Sequence, residues 1–514
     1  MELKKIVLAT AVFGALGGLY GCSGDENATI TIDDNSVTED NSMVIGGPID
    51  VGTPDDDFRP DDDAAISAAI ASLPGSFERP VTLLNPETGN EVTRTAVAMP
   101  ANILADVTLD SDVIYVMTDR VTVGNGNQTM TATDGVLESG DDLIEVTLTI
   151  EPGTLLLGAR GTFANLLITR GSDIMAMGTA AAPIIMASDD PGFEGAGEWG
   201  GLVIHGYGLH NQCEYVGVGG TPPATDQPCN IDSEGESGFS GGHDNTDSSG
   251  VLNYVIVTEG GYEFNPGDEI NGISLVAVGS GTEIDFVQIN SNADDGIEFF
   301  GGDVNASHLV LTGNQDDSVD WDEGFTGNLQ YILVRQTPDS QGTTIEADTE
   351  GTTLFLSEPT ILNATFISDG SQSVSHALRA TSGGYIHQSI ITGASGAVGT
   401  CVSLGSGSDD NAADGSIVYN EVLADCTTFE TDGSMETTIL ATNGNANLIQ
   451  GVAASLDTNY ASTAAEATGI TPVVPSDFSP VAEDEYFDDT TFLGAVNPDG
   501  SDLWFEGWVL DGTL

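Results

Sequence analysis

The segments SNADDGIEFFGG (Ser291–Gly302) and GNQDDSVDWDEG (Gly313–Gly324) repeat the pattern Asp-Asp-x-apolar-acid-aromatic 22 residues apart. Apolar stretches around them extend the repeat: LNYVIVT from Leu252, IDFVQIN from Ile284, ASHLVLT from Ala306, LQYILVR from Leu329, LNATFIS from Leu362 and IHQSIIT from Ile386, at steps of 32, 22, 23, 33 and 24 residues. A period in this range marks a solenoid, in which no unit buries its apolar face alone. The pairs Val255/Val257, Val287/Ile289, Leu309/Leu311 and Ile332/Val334 alternate at period two, with no sustained spacing of three and four, so the units are strands rather than helices. The leading residues Leu252, Ile284 and Leu329 lie three before the first of each pair. Side-chain parity therefore changes inside the segment, which predicts a bend there.

A second column, Ile273, Ile297, Val319 and Ile345, recurs at 24, 22 and 26 residues, and the last three are followed by Glu298, Asp320 and Glu346. Together the two columns predict an all-β parallel β-helix. The steps of 32 and 33 predict one coil plus an inserted loop of about ten residues, and such loops tend to wall a groove on one face.

The 514 residues hold 80 Asp plus Glu against 10 Lys plus Arg. Both lysines, Lys4 and Lys5, lie in the first five residues, and eight arginines serve the rest. This balance excludes nucleic acid as a partner and disfavours anionic membrane surfaces. MELKK, the apolar IVLATAVFGALGG and LYGC ending at Cys22 resemble a bacterial lipoprotein signal, residues 1–21. That resemblance implies lipidation of Cys22 and, with Ser23 following, anchoring in the outer membrane through the lipid. Residues 22–62 read as a flexible acidic tether, 63–101 as an N-terminal cap with a short helix at AAISAAIASL, 102–474 as the β-helix and 475–514 as an acidic, aromatic tail covering the last coil.

Beyond Cys22, four cysteines remain. Three pairings are open, and locality favours Cys213 with Cys229 and Cys401 with Cys426 as disulfides of an exported chain.

The order TIEPGT, AMGTAAAPI, GEWGGLVI, SGVLNYVIV, DDGIEFFGG, DDSVDWDEGF, IEAD and a terminal FLGAV with WFEGW resembles a family of secreted or lipid-anchored bacterial surface proteins. These are right-handed parallel β-helices of the pectate-lyase-like superfamily, and the likeness runs from Thr149 to Leu514. It implies fold and location more than an activity.

Coils in a β-helix lie ~4.8 Å apart. Asp294/Asp295 stacked on Asp316/Asp317 would therefore repel by ~3 kcal/mol per pair at an effective dielectric of about 20. Splaying into water, a raised pKa or a bound cation would each offset this. Oxygen-only donors select a hard cation, so Ca2+ is the expected metal, with Asp294, Asp295, Glu298, Asp316, Asp317 and Asp320 as candidate ligands. Opposite strand parity separates Asp295 from Glu298, and Asp317 from Asp320, so one ion is not expected to bind all four. Trp321, between acids, is a candidate sugar-stacking platform, with a buried aromatic as the plain alternative.

A catalytic alternative uses Asp316 and Asp317. The acid pairs resemble part of the acid cluster of polygalacturonase-type hydrolases, yet the Gly-His-Gly and Arg-x-Lys of that family are missing. A lyase would need Arg335 or Arg379 as its base. The six histidines lack metal-type spacing. The sequence thus favours an outer-membrane lipoprotein, periplasm-facing or at the cell surface, whose calcium-stabilised β-helix is an envelope-structural module or one that binds glycans or surface partners, over a polysaccharide lyase or glycoside hydrolase.

Overall fold

The computed structural model describes residues 58–213, 227–233, 235–265, 269–350, 355–369, 372–405, 407–431, 448–462, 464 and 486–514. Cys22, the signal segment and most of the acidic tether lie outside the described residues. Among the described residues the chain forms a parallel β-helix of two long sheets, one of 18 strands and one of 11.

The repeat is one coil. In the long sheet, Val255, Val287, Leu309, Ile332 and Ala364 stand in register on successive parallel strands. In the shorter sheet, Ile273, Ile297, Val319 and Ile345 do the same, and the column continues into His376. Both columns point inward and are fully buried in one continuous core.

The predicted bend is a left-handed residue. Tyr254, Phe286, His308, Tyr331 and Asn363 have φ between 49° and 57°, each midway along a strand of eight or nine residues. Each such strand is two strands fused at that corner. Asp173–Met177 and Ile184–Ser188 pair separately with the two halves of Gly250–Thr258, as Gly384–His387 and Ile390–Gly393 do with Thr360–Ser368. One register differs from the spacing read from sequence: Leu329 stands opposite Ile361, not Leu362. Adjacent Ile361 and Leu362 are both buried, so hydrophobicity alone does not separate them; the corner at Asn363 does.

At the amino end, the helix Asp63–Ser72 starts where Asp62 accepts from the amides of Ala64 and Ala65 at 2.9 and 3.0 Å. Its Ile66 and Ala69, with Leu73, enter the main core. An antiparallel hairpin, Phe77–Leu84 with Glu91–Ala98, joins the coil through Ile114–Met117. Cys213–Cys229 and Cys401–Cys426 are disulfide-bonded, with Cα separations of 5.2 and 5.6 Å.

The described part of the carboxyl tail runs along the flank of the long sheet rather than lying only on the last coil. Leu493 packs with Leu423 and Ile449 near the end of the solenoid. Ala495, Trp504, Phe505 and Trp508 then cover the outward residues Ile367, Leu333, Val310 and Ile256 of earlier coils.

Candidate functional site

The paired aspartates lie in the turns that carry the chain from the long sheet to the short one. Asp295 and Asp317 cap backbone of the following coil. Asp295 Oδ1 accepts from the amide of Asp317 at 2.8 Å, and Asp317 Oδ1 accepts from the amide and, at 2.6 Å, the hydroxyl of Thr343. Gly342 is required by this close stacking, since a Cβ there would lie 2.5 Å from the carbonyl carbon of Asp316.

The strands Ile297–Phe300, Val319–Asp322 and Ile345–Ala347 follow these turns. Their inward residues are Ile297/Phe299, Val319/Trp321 and Ile345/Ala347, which puts Glu298, Asp320 and Glu346 outward in register. The turn acid Asp295 reaches the same surface. Asp295, Glu298 and Asp320 place carboxylate oxygens within 4.8 Å of one another, as do Asp294, Asp295 and Asp316. Asp295 joins Glu298 despite their opposite parity because it precedes its strand and so is free of the strand's alternation, while Asp317 is not part of either group.

Burial is uneven across the cluster. Asp295, Asp317 and Asp320 are 7%, 4% and 8% exposed, and Glu298 is 8% exposed, whereas Asp316 is exposed. Burial, reinforced by neighbouring carboxylates, pushes Asp295 and Asp320 well above the usual carboxylate range. Burial also raises Asp294, with Glu269 and Asp316 adding to it, and raises Asp317 against the pull of its Thr343 hydrogen bonds. Glu346 is likewise raised by burial first and then by Asp317.

Arg379 is the basic group at this surface, ion-paired with Glu346 and, at 3.3 Å, with Asp348. Arg335 is elsewhere: its guanidinium donates to the carbonyl of Thr513 in the tail at 2.7 Å. Of the two arginines that a lyase reading offered, only Arg379 joins the acids. Trp321 is fully buried in the core, its indole N–H donating to Ser382 Oγ at 3.0 Å, so it is no sugar platform. Its position two residues after inward Val319 dictates this.

Further neighbours complete the surface, and they differ in how far sequence revealed them. Glu346 was legible as the third acid of its column. Asn271, in the inserted stretch after Thr258, donates to Glu298 Oε2 and shapes one wall. A separate group, Asp322, Glu323 and Glu350, gathers at the next corner, where Glu323 Oε2 lies 2.6 Å from Nε2 of buried His210. Glu350 sits in an insertion, so no spacing announced it.

The arrangement is an anionic surface built from three successive coils and suited to cations or to hydroxyl-rich ligands. No curated protein and no solved structure matches the chain. A family model described as a pectate-lyase like beta helix domain matches residues 101–469, and the parallel coils and stacked columns agree with it. The chain therefore belongs to the pectate-lyase-like β-helix domain family.

Proposed function

We propose that the protein is an envelope lipoprotein, anchored through Cys22, whose β-helix binds polysaccharide or a surface partner along the acid-lined face, with Ca2+ offsetting the charge. The observation that carries this reading is the convergence of Asp294, Asp295, Glu298, Asp316, Asp317, Asp320 and Glu346 on one surface with Arg379 as the basic group beside them. The family supports a polysaccharide-related role. Carboxylates bind sugar hydroxyls directly or through a cation, whereas turnover needs an acid and a base placed on the scissile bond. The alternative, a β-helix hydrolase or lyase using Asp316 and Asp317, would draw on Arg379 instead of Arg335.

The test is retention of purified protein on a panel of neutral and uronate polysaccharides, with Ca2+ and with chelator, alongside assays for reducing ends and unsaturated products. Retention without product is expected. Product formation that Asp317→Ala abolishes in a folded protein would establish the enzyme reading instead. Labelling of the wild type by a palmitate analogue, lost in Cys22→Ser, checks the anchor.

A further inference from the structure

The acid surface contains two triads that share Asp295, and they differ in what surrounds them. Asp294, Asp295 and Asp316 form the outer one, where Asp316 is exposed and water can solvate its charge. Asp295, Glu298 and Asp320 form the inner one, and each is more than nine-tenths buried. Asp320 Oδ1 is buried without a hydrogen-bond partner. Among the described residues, neither Asp295 nor Asp320 is ion-paired with a basic side chain. A buried carboxylate oxygen left without a donor is costly, its neighbours here are two more carboxylates, and Arg379, which acts on Asp320 electrostatically, is ion-paired with Glu346 and Asp348 instead.

We propose that Asp295, Glu298 and Asp320 form a one-ion site for a hard divalent cation of calcium size that staples two successive coils together. This rests on the cation reading above and assigns it to three residues. Oxygens within 4.8 Å of one another suit a shared ion at the ~2.3–2.6 Å distances of calcium. The donor set is all oxygen, which disfavours zinc and copper. Magnesium demands near-ideal octahedral geometry at shorter distances, whereas calcium accepts a flexible set drawn from a turn and two strands. Neighbouring donors orient the ligands: the Asp317 amide holds Asp295 Oδ1, and Asn271 holds Glu298 Oε2. Asp320 Oδ1 is the acceptor that the cation satisfies. Because Glu298 and Asp320 belong to adjacent strands in register, the ion links the coil of Ile297–Phe300 to that of Val319–Asp322.

The experiment is Tb3+ and Ca2+ titration of the full-length protein in 0.15 M salt. Trp321, next in sequence to Asp320, serves as the luminescence donor, and calorimetry gives the stoichiometry. One tight Ca2+ is expected to displace the sensitised Tb3+. Asp320→Asn and Glu298→Gln should each weaken it by ~100-fold, because ligand charge sets affinity in all-oxygen sites. Asp112→Asn, at an exposed aspartate near the amino end and outside the acid surface, should leave it within about threefold. Circular dichroism confirms folding of each variant. Loss of the ion in Asp316→Asn with retention in Asp320→Asn would move the site to the outer triad. Absence of tight Ca2+ binding in the folded wild type would overturn the staple altogether. Polysaccharide retention that persists without Ca2+ in either case would leave the binding reading standing, so the two failures are separable.

Discussion

At one register position, successive coils place Tyr254, Phe286, His308 and Tyr331 at positive φ, and the rings stack at centroid distances of 4.5, 4.3 and 4.7 Å. A left-handed conformation costs an L-residue roughly 1–2 kcal/mol. Ring stacking returns about 0.5–1.5 kcal/mol per pair, which helps explain why the corner carries aromatics rather than glycine. The parity change was legible in the sequence, but the residue that absorbs it was not, since neither tyrosine nor phenylalanine announces positive φ. Glu259 is a second residue under constraint. It is buried, its carboxylate accepts from the amides of Ser188 and Gly195, and burial above all pushes its pKa from 4.5 up to about 7. Below pH 4.5 it is protonated folded and unfolded, so it exerts no pH effect there. Between pH 4.5 and 7 the unfolded chain ionises first, so stability falls as pH rises and levels off above 7, by up to about 3 kcal/mol. Thermal melts of Glu259→Gln from pH 4 to 8 should show a shallower decline than the wild type, even from a lower starting point. Parallel curves would refute this assignment.

The tail is the element whose role the sequence left open. Its aromatic residues demanded burial, and the open end of a solenoid was the expected place. The structure instead seats them on the flank: Trp508 meets Tyr254 edge-on at 5.6 Å, and Trp504 meets His308 at 5.0 Å. Side chains along the long sheet fix its path. Gln288 Oε1 accepts from the Leu510 amide, Gln330 Oε1 from that of Asp488 and Thr365 Oγ1 from that of Ala495, while the Thr490 hydroxyl lies within hydrogen-bond distance of Asn363 Oδ1 and Gln388 Oε1, with one proton to give. Ile256, Val310, Leu333 and Ile367 face outward on coils whose opposite side chains already fill the core, and the tail removes them from water. Trp504→Ala with Trp508→Ala should lower stability by roughly 4 kcal/mol or more and raise binding of an apolar dye such as ANS. Unchanged urea midpoints and dye fluorescence would show that the strap contributes nothing to the fold.

Across the whole molecule the formal charge is −70, spread along a solenoid in which each coil contacts only its neighbours. Like charges on adjacent coils repel over a Debye length of ~30 Å in 0.01 M salt and only ~3 Å in 1 M. The melting temperature, followed by calorimetry in chelator at fixed pH, should therefore rise by roughly 5 °C or more between these salt concentrations. A flat or falling trend would mean that self-repulsion does not limit stability.

The repeat spacing, the period-two alternation and the corner were sufficient to determine the parallel coils, because a strand's two faces are set by parity and a coil's length by the interval between equivalent residues. Outward Glu298, Asp320 and Glu346 follow from the same rule, and so does the burial of Trp321. What spacing could not decide were contacts made by residues outside strands. Asp295 joins Glu298 and Asp320 through the path of a turn, and Arg379 rather than Arg335 faces the acids because Arg335 is held by the carboxyl tail. Local pattern determines which way a strand residue points. Only the folded chain decides what a turn, an insertion or a distant tail brings beside it.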